Sequence, residues 1–232
     1  MALNPAEWQA IRLSLWVAFA ATAASLPLGV AVGWLLARRQ FRGKFLVETL
    51  VNLPLVLPPV VTGYLLLVLF GRRGVLGEAL ERTLGLRFVF DWKGAALAAA
   101  IVSFPLMVRP IRLAFAAVDP RLLQAARTLG AGPIDAFWSV ALPLATPGIL
   151  SGIILSWARS LGEFGATIMI AGNIPGETRT VPLMVYSLLE SPDGMRQAGR
   201  LVLASIAMAA VALAVGEWLD RRGQRRLRGA VT

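Results

Sequence analysis

Arg159 and Glu163 stand four residues apart in a stretch, residues 144–171, that carries no other charge. On a helix, residues i and i+4 are neighbours on one face. Gly152, Ser156, Ser160 and Thr167 fall with them inside an arc of about 100°. A stripe of small and polar side chains along an apolar helix predicts a face turned to a wet cavity or to another subunit. Two roles fit the charged pair. It can neutralise itself and lock one helix to another. Alternatively, Arg159 and the adjacent hydroxyls can meet a passing anion while Glu163 keeps the site from holding it too tightly. Neither role is catalysis. The chain has no His and no Cys, which excludes a thiol nucleophile, a His-based acid–base pair, a His/Cys zinc cluster and a disulfide framework.

A second set lies upstream. Pro54, Pro58 and Pro59 interrupt the apolar run 49–71, with Thr62 and Gly63 just beyond. Proline removes a backbone donor and breaks a helix, which is tolerated at membrane depth only where the backbone packs on protein or lines a cavity. Pro58 and Pro59 are therefore expected to kink the helix and shape a gate, the alternative being a bend without contact to any ligand. Thr62, and more weakly Asn52, are candidates for the same pathway. Hydroxyls and free N–H groups at a broken helix hold an anion without a full positive charge.

The elements that must position these residues are membrane helices. Of 232 residues, 57% are hydrophobic and 16% charged, and the mean hydropathy is +0.69, against about 25% charged in an ordinary soluble domain. Crossing about 30 Å of hydrocarbon takes roughly 20 apolar residues. Five spans are expected, near 13–37, 49–71, 94–118, 144–171 and 201–219, in a single all-α integral membrane domain over 1–232. The ten apolar residues 180–189 are too few to cross and are expected as a re-entrant or interfacial helix. Glu7 ahead of Arg12, and the length of the first run, argue for a retained helix rather than a cleaved signal.

The net charge of +10 might suggest nucleic acid, but it reads as orientation. Arg38, Arg39, Arg42 and Lys44, the segment 109–143 and the tail with Arg221, Arg222, Arg225, Arg226 and Arg228 group on one side of five spans, which predicts the N-terminus outside and the C-terminus cytoplasmic. Arg109 and Arg112 are expected to snorkel to headgroups. Trp8, Trp16, Trp92 and Trp218 suit interfacial anchoring, and Gly29 and Gly33 have a close-packing spacing.

Residues 119–143 carry the clearest local signals. Asp119-Pro120 reads as an N-cap followed by Pro at the first helical position. Leu122, Leu123, Ala126 and Leu129 form an apolar stripe, and Gly130 is a C′ stop. Gly132-Pro133 opens a second short helix expected to end before Leu142-Pro143. Low side chains at Ala125 and Ala126 leave room for another protein's groove, although a helix lying on lipid would read similarly.

Here the chain resembles a family. The permease subunits of binding-protein-dependent ABC importers carry a cytoplasmic pattern E-A-A, three residues, G, nine residues, I, one residue, L-P. Gln124-Ala125-Ala126, Gly130, Val140 and Leu142-Pro143 match it at every interval, with Gln124 in place of the acid and Val140 in place of Ile. Residues 53–74, 103–114, 158–168 and 173–182 further resemble the molybdate branch, whose vocabulary the sulfate relatives partly share. The resemblance implies a type I importer permease core with five spans and cytoplasmic coupling helices in a bacterial inner membrane. It also implies a second copy completing the pore, two cytosolic ATPases docked at Gln124, Ala125, Ala126, Leu129, Gly130, Leu142 and Pro143, and an external oxyanion-binding protein. ATP and Mg would act through the partners, since this chain lacks a phosphate-binding G-x-x-x-x-G-K-[ST] loop. No cofactor, metal or nucleic acid is expected on this chain, and it is expected not to be an enzyme itself. An ion-gradient-driven transporter is the rival class; it would show inverted repeats, and none is visible.

Overall fold

The computed structural model describes residues 3–72, 74–192 and 194–229; the side chains of Glu217 and of residues 219–229 are not among those described, so Arg73 and the tail arginines of the orientation argument lie outside them. Every regular element among the described residues is helical. In chain order they are α1 (Pro5–Arg38), α2 (Lys44–Val56), α3 (Pro59–Phe70), α4 (Val75–Leu84), α5 (Trp92–Ala117), α6 (Pro120–Thr128), α7 (Pro133–Ala136), a π turn (Phe137–Ala141), α8 (Leu142–Leu161), α9 (Gly165–Ala171), α10 (Val181–Leu189) and α11 (Met195–Gly229). Four helices are long and apolar enough to cross a membrane, and α2 with α3 makes a fifth if the bent pair is one span.

α5 is the centre. Its Ala95, Ala98, Ala99, Val102, Met107, Ile111 and Phe115 are all but inaccessible. α1 closes on one flank and α8 on another, and both do so through glycine. A Cβ on Gly29 would lie 2.7 Å from Met107 Sδ and one on Gly33 2.6 Å from Ile111 Cγ2; on the α8 side, one on Gly152 would lie 2.7 Å from the Met107 carbonyl. The Gly29/Gly33 spacing is thus a packing seam inside the chain.

Two expected spans are broken. α2 and α3 meet at 114° across Leu57-Pro58, because Pro59 at the first turn of α3 cannot donate to α2 and the ring disfavours a helical residue before it. The fourth apolar run does not continue to residue 171: α8 ends at Leu161, and α9 begins at Gly165 after a non-helical turn at Gly162–Phe164. The short helix expected at 180–189 is α10. At the N-terminal end of α8, the second short helix does not stop before Leu142-Pro143. It widens into the π turn, where the Leu142 N–H bonds the Phe137 carbonyl five residues back, and runs on into α8. Pro143 supplies no N–H for the Ser139 carbonyl and its ring crowds that oxygen, so the helix takes in one extra residue per turn there.

α1 begins with a reciprocal cap that the sequence reading did not identify. The Glu7 N–H donates to Asn4 Oδ1 (2.7 Å), and the Asn4 N–H donates to Glu7 Oε2 (2.8 Å). The other carboxylate oxygen of the fully buried Glu7 takes Arg200 Nη2 at 3.0 Å, tying the start of α1 to α11.

Candidate functional site

The two helix breaks touch. A Cβ on Gly63 of α3 would lie 2.7 Å from Ala166 Cα of α9, and one on Gly165 would lie 2.9 Å from Pro59 Cβ. The bend at Pro58-Pro59 therefore rests on the start of α9, with glycine on each side permitting backbone contact. Glu163 sits in the α8–α9 turn and is 3% exposed. Its Oε1 accepts the Ala166 N–H at 2.9 Å, which caps α9, and its Oε2 lies 2.9 Å from Arg159 Nη2. Arg159 is partly exposed, so the pair joins a buried anion to a cation that reaches the surface of this chain. The Thr62 hydroxyl, one residue before Gly63, is buried without a hydrogen-bond partner among the described residues, and Thr167 is buried in α9.

The rest of the stripe does not face a wet cavity. Ser156 Oγ lies 2.9 Å from Ser103 Oγ of α5. Ser160 Oγ is 3.2 Å from Ser103 Oγ and donates to the Ser156 carbonyl at 2.8 Å. Gly152, Ser156 and Ser160 thus face α5, because small residues let these two helices approach and the three hydroxyls satisfy one another. One angular stripe on a helical wheel divides here into a packing seam and, beyond Leu161, a capped break.

Arg109 and Arg112 are both engaged by α2. Arg109 Nε and Nη2 both donate to Asn52 Oδ1 of α2, at 3.0 and 2.8 Å, and Arg112 Nη2 pairs with Glu48 Oε1 at 2.9 Å. Asn52 Nδ2 returns to the Glu48 carbonyl at 2.7 Å. This ladder is what holds the lower part of α2, which buries no residue of its own, against α5. The i, i+4 spacing of Glu48 and Asn52 and the i, i+3 spacing of Arg109 and Arg112 were its only signals in the sequence.

The elbow at residues 119–136 projects from the bundle. Asp119 Oδ1 accepts the Arg121 N–H at 2.8 Å, as expected of the N-cap. Gly130 has φ +95°, and the Ala131 N–H bonds the Ala126 carbonyl while the Gly130 N–H bonds that of Arg127, both at 3.0 Å: a Schellman stop. α6 buries no residue, and Leu129 (89%) and Ile134 (75%) are nearly fully exposed, an arrangement that needs a cover. Gln124 and Ala125 are exposed beside them, and Pro143 lies above the π turn. Below the elbow, Trp34 packs edge-on against Phe115 and Phe137 (5.1 and 5.2 Å between centroids). Arg38 lies 5.5 Å over the Trp34 ring and donates to the Val118 carbonyl at 2.5 Å. The knob stands on a rigid aromatic base.

A bundle of broken apolar helices with an exposed, tightly capped elbow is the architecture of a membrane permease subunit, and the chain belongs to the family of binding-protein-dependent transport system inner membrane components, matched over residues 7–229. Within that class it is 55% identical over 226 residues to the molybdenum transport system permease protein ModB of Escherichia coli (strain K12), covering 97% of this chain and 99% of that one. It is 51% identical to ModB of Haemophilus influenzae, over 95% and 96% of the two chains. The sulfate transport system permease protein CysT of Salmonella typhimurium is 36% identical over 89% of this chain and 73% of its own length. Among solved structures, a bacterial alginate ABC transporter in complex with its pentasaccharide-bound periplasmic protein superposes with a TM-score of 0.73 at 17% identity, over 94% of this chain and 80% of that one. The MetNI methionine transporter in inward-facing form gives 0.65 at 16%, over 94% of each chain. The type I importer fold is therefore shown, and the chain is a multi-pass inner-membrane permease component.

Proposed function

We propose that this chain is the pore-forming subunit of a molybdate importer, in which two copies enclose the path and two cytosolic ATPases dock at the elbow. The observation that carries the substrate is the 55% identity to a molybdenum permease along nearly the whole of both chains, against 36% to a sulfate permease. The observation that supports docking is the elbow itself, an exposed Leu129–Gly130 knob on a stiff base. Gln124, Ala125, Ala126, Leu129 and Gly130 form the contact, and Leu142-Pro143 sets the wide turn through which α8 follows it.

In this reading ATP and Mg are bound and used in the partners, whose closure draws the two elbows together and opens the path outward. An external binding protein hands the anion to the outer mouth, where Phe90, 61% exposed and held at φ +56°, is a fitting contact. The C-terminus lies in the cytoplasm and the N-terminus outside. Pro58 and Pro59 shape the gate where they rest on Gly165, with Thr62, Arg159, Glu163 and Thr167 around it; Ser156 and Ser160 serve by letting α8 approach α5. A ligand or nucleotide shifts such a two-state system only by binding its states unequally. The test is uptake into proteoliposomes holding this chain, its ATPase and its binding protein, with ATP inside. ATP-dependent molybdate uptake that excess sulfate does not suppress is expected. Uptake by this chain alone, driven by an ion gradient, would overturn the assignment.

A further inference from the structure

We infer that the Asn52–Arg109 pair is a second, weak oxyanion site, on the elbow side of the Pro58 bend, at which a tetrahedral dianion pauses before release. This deepens the transport reading above and rests on it. Arg109 lies eight residues before the end of α5 and Asn52 eight residues after the start of α2, so both Cα atoms sit about 12 Å in from their helix ends. A guanidinium at that depth facing acyl chains would extend toward headgroups. Arg109 instead turns sideways and spends two donors on one neutral amide oxygen.

The charge balance of the ladder is uneven. Glu48 neutralises Arg112, and among the described residues no carboxylate pairs with Arg109. The quartet is thus left with one net positive charge, exposed on the side of the chain. Arginine's planar fork prefers a doubly charged oxyanion to an amide. An arriving dianion can take the two donors from Asn52 Oδ1, and Asn52 can reclaim them when it leaves. A built-in competitor of this kind makes the site weak, which is what a release step requires. A lipid phosphate shares the same chemistry, so the test separates the two.

The chain contains no cysteine, which makes Asn52→Cys a unique label in it. In the full complex, in nanodiscs of neutral lipid, and with each rate divided by that reagent's rate on free cysteine, an anionic methanethiosulfonate should modify that position about fivefold faster than its cationic counterpart, as expected for one unpaired charge within several ångströms in a water-like medium. Adding Arg109→Gln should remove the preference. Millimolar molybdate or tungstate should slow the anionic reagent, and chloride at equal ionic strength should not. Equal normalised rates for the two reagents, or no protection by oxyanion, overturn the site; so does protection that comes only from adding phosphatidylglycerol. If Asn52→Cys does not assemble, Val56→Cys, one turn along α2 and 81% exposed, reports the same field. Uptake by the unsubstituted complex is measured in parallel, and its absence counts against the transport reading while the reagent ratio still decides the site.

Discussion

Glu163 is held by Arg159 from one turn earlier, 2.9 Å away, while its other carboxylate oxygen caps the helix that follows. The pair therefore does structural work whether or not an anion touches it. Removing only Arg159 strands a buried charge, which costs about 3–5 kcal/mol; removing both charges does not.

Arg159→Ala should accordingly assemble poorly, and Arg159→Ala with Glu163→Gln should recover assembly, because glutamine keeps an oxygen for the Ala166 N–H. Yield and melting temperature of the complex read this part. Uptake reads the rest: if Arg159 meets the anion, the double variant stays slow although it is assembled. Restored uptake would leave the pair a structural lock alone.

Gly130→Ala should weaken coupling without disturbing the spans. Gly130 sits at φ +95° with nothing within 4 Å of a Cβ, so the penalty is torsional, about 1–2 kcal/mol, and falls on the Schellman stop. Basal ATPase activity of the assembled complex should lose its stimulation by the loaded binding protein. Full stimulation in this variant would count against docking at the elbow.

Pro143→Ala restores an N–H for the Ser139 carbonyl and should let the π turn relax toward a regular helix. The variant is expected to melt higher while transporting less per ATP, since the elbow would rotate relative to α8. A measured ratio of anions moved to ATP hydrolysed equal to the parent's would refute a role for the wide turn.

Gly152→Val should be among the most damaging substitutions in the chain, at about 3 kcal/mol or more, because its Cβ would meet the Met107 carbonyl at 2.7 Å. Gly199→Ala, with nothing within 4 Å, should be neutral or stabilising by up to about 1 kcal/mol through helix propensity. Thermal unfolding of the two variants in the same detergent compares them directly.

These residues also mark what could be read without coordinates. The elbow was legible because its causes are local: Asp119 caps the helix that starts beside it, and Gly130 stops the same helix by its own torsion. The bend at Pro58-Pro59 was legible for the same reason. The break at Gly162–Phe164 was not, because no proline announces it and a glycine alone is tolerated in a membrane helix. Nor could periodicity decide which way a stripe faces. Ser156 and Ser160 are satisfied by Ser103, a residue more than fifty positions earlier. The Arg109–Asn52 and Glu7–Arg200 contacts likewise join distant parts of the chain, and no local pattern specifies such a partner.

The clasp around α5 has a consequence for how such chains diverge. Met107 and Ile111 fill the space that glycines at 29, 33 and 152 leave open, so these positions are not free to drift one at a time. A relative that shortens residue 107 gains room at 29 and one that shortens residue 111 gains room at 33, whereas 152 faces the backbone carbonyl of 107 and must stay small whatever side chain stands there. Covariation of 29 with 107 and of 33 with 111, beside a residue 152 that does not vary, in an alignment deep enough to resolve it, is the trace this seam should leave in the family's history.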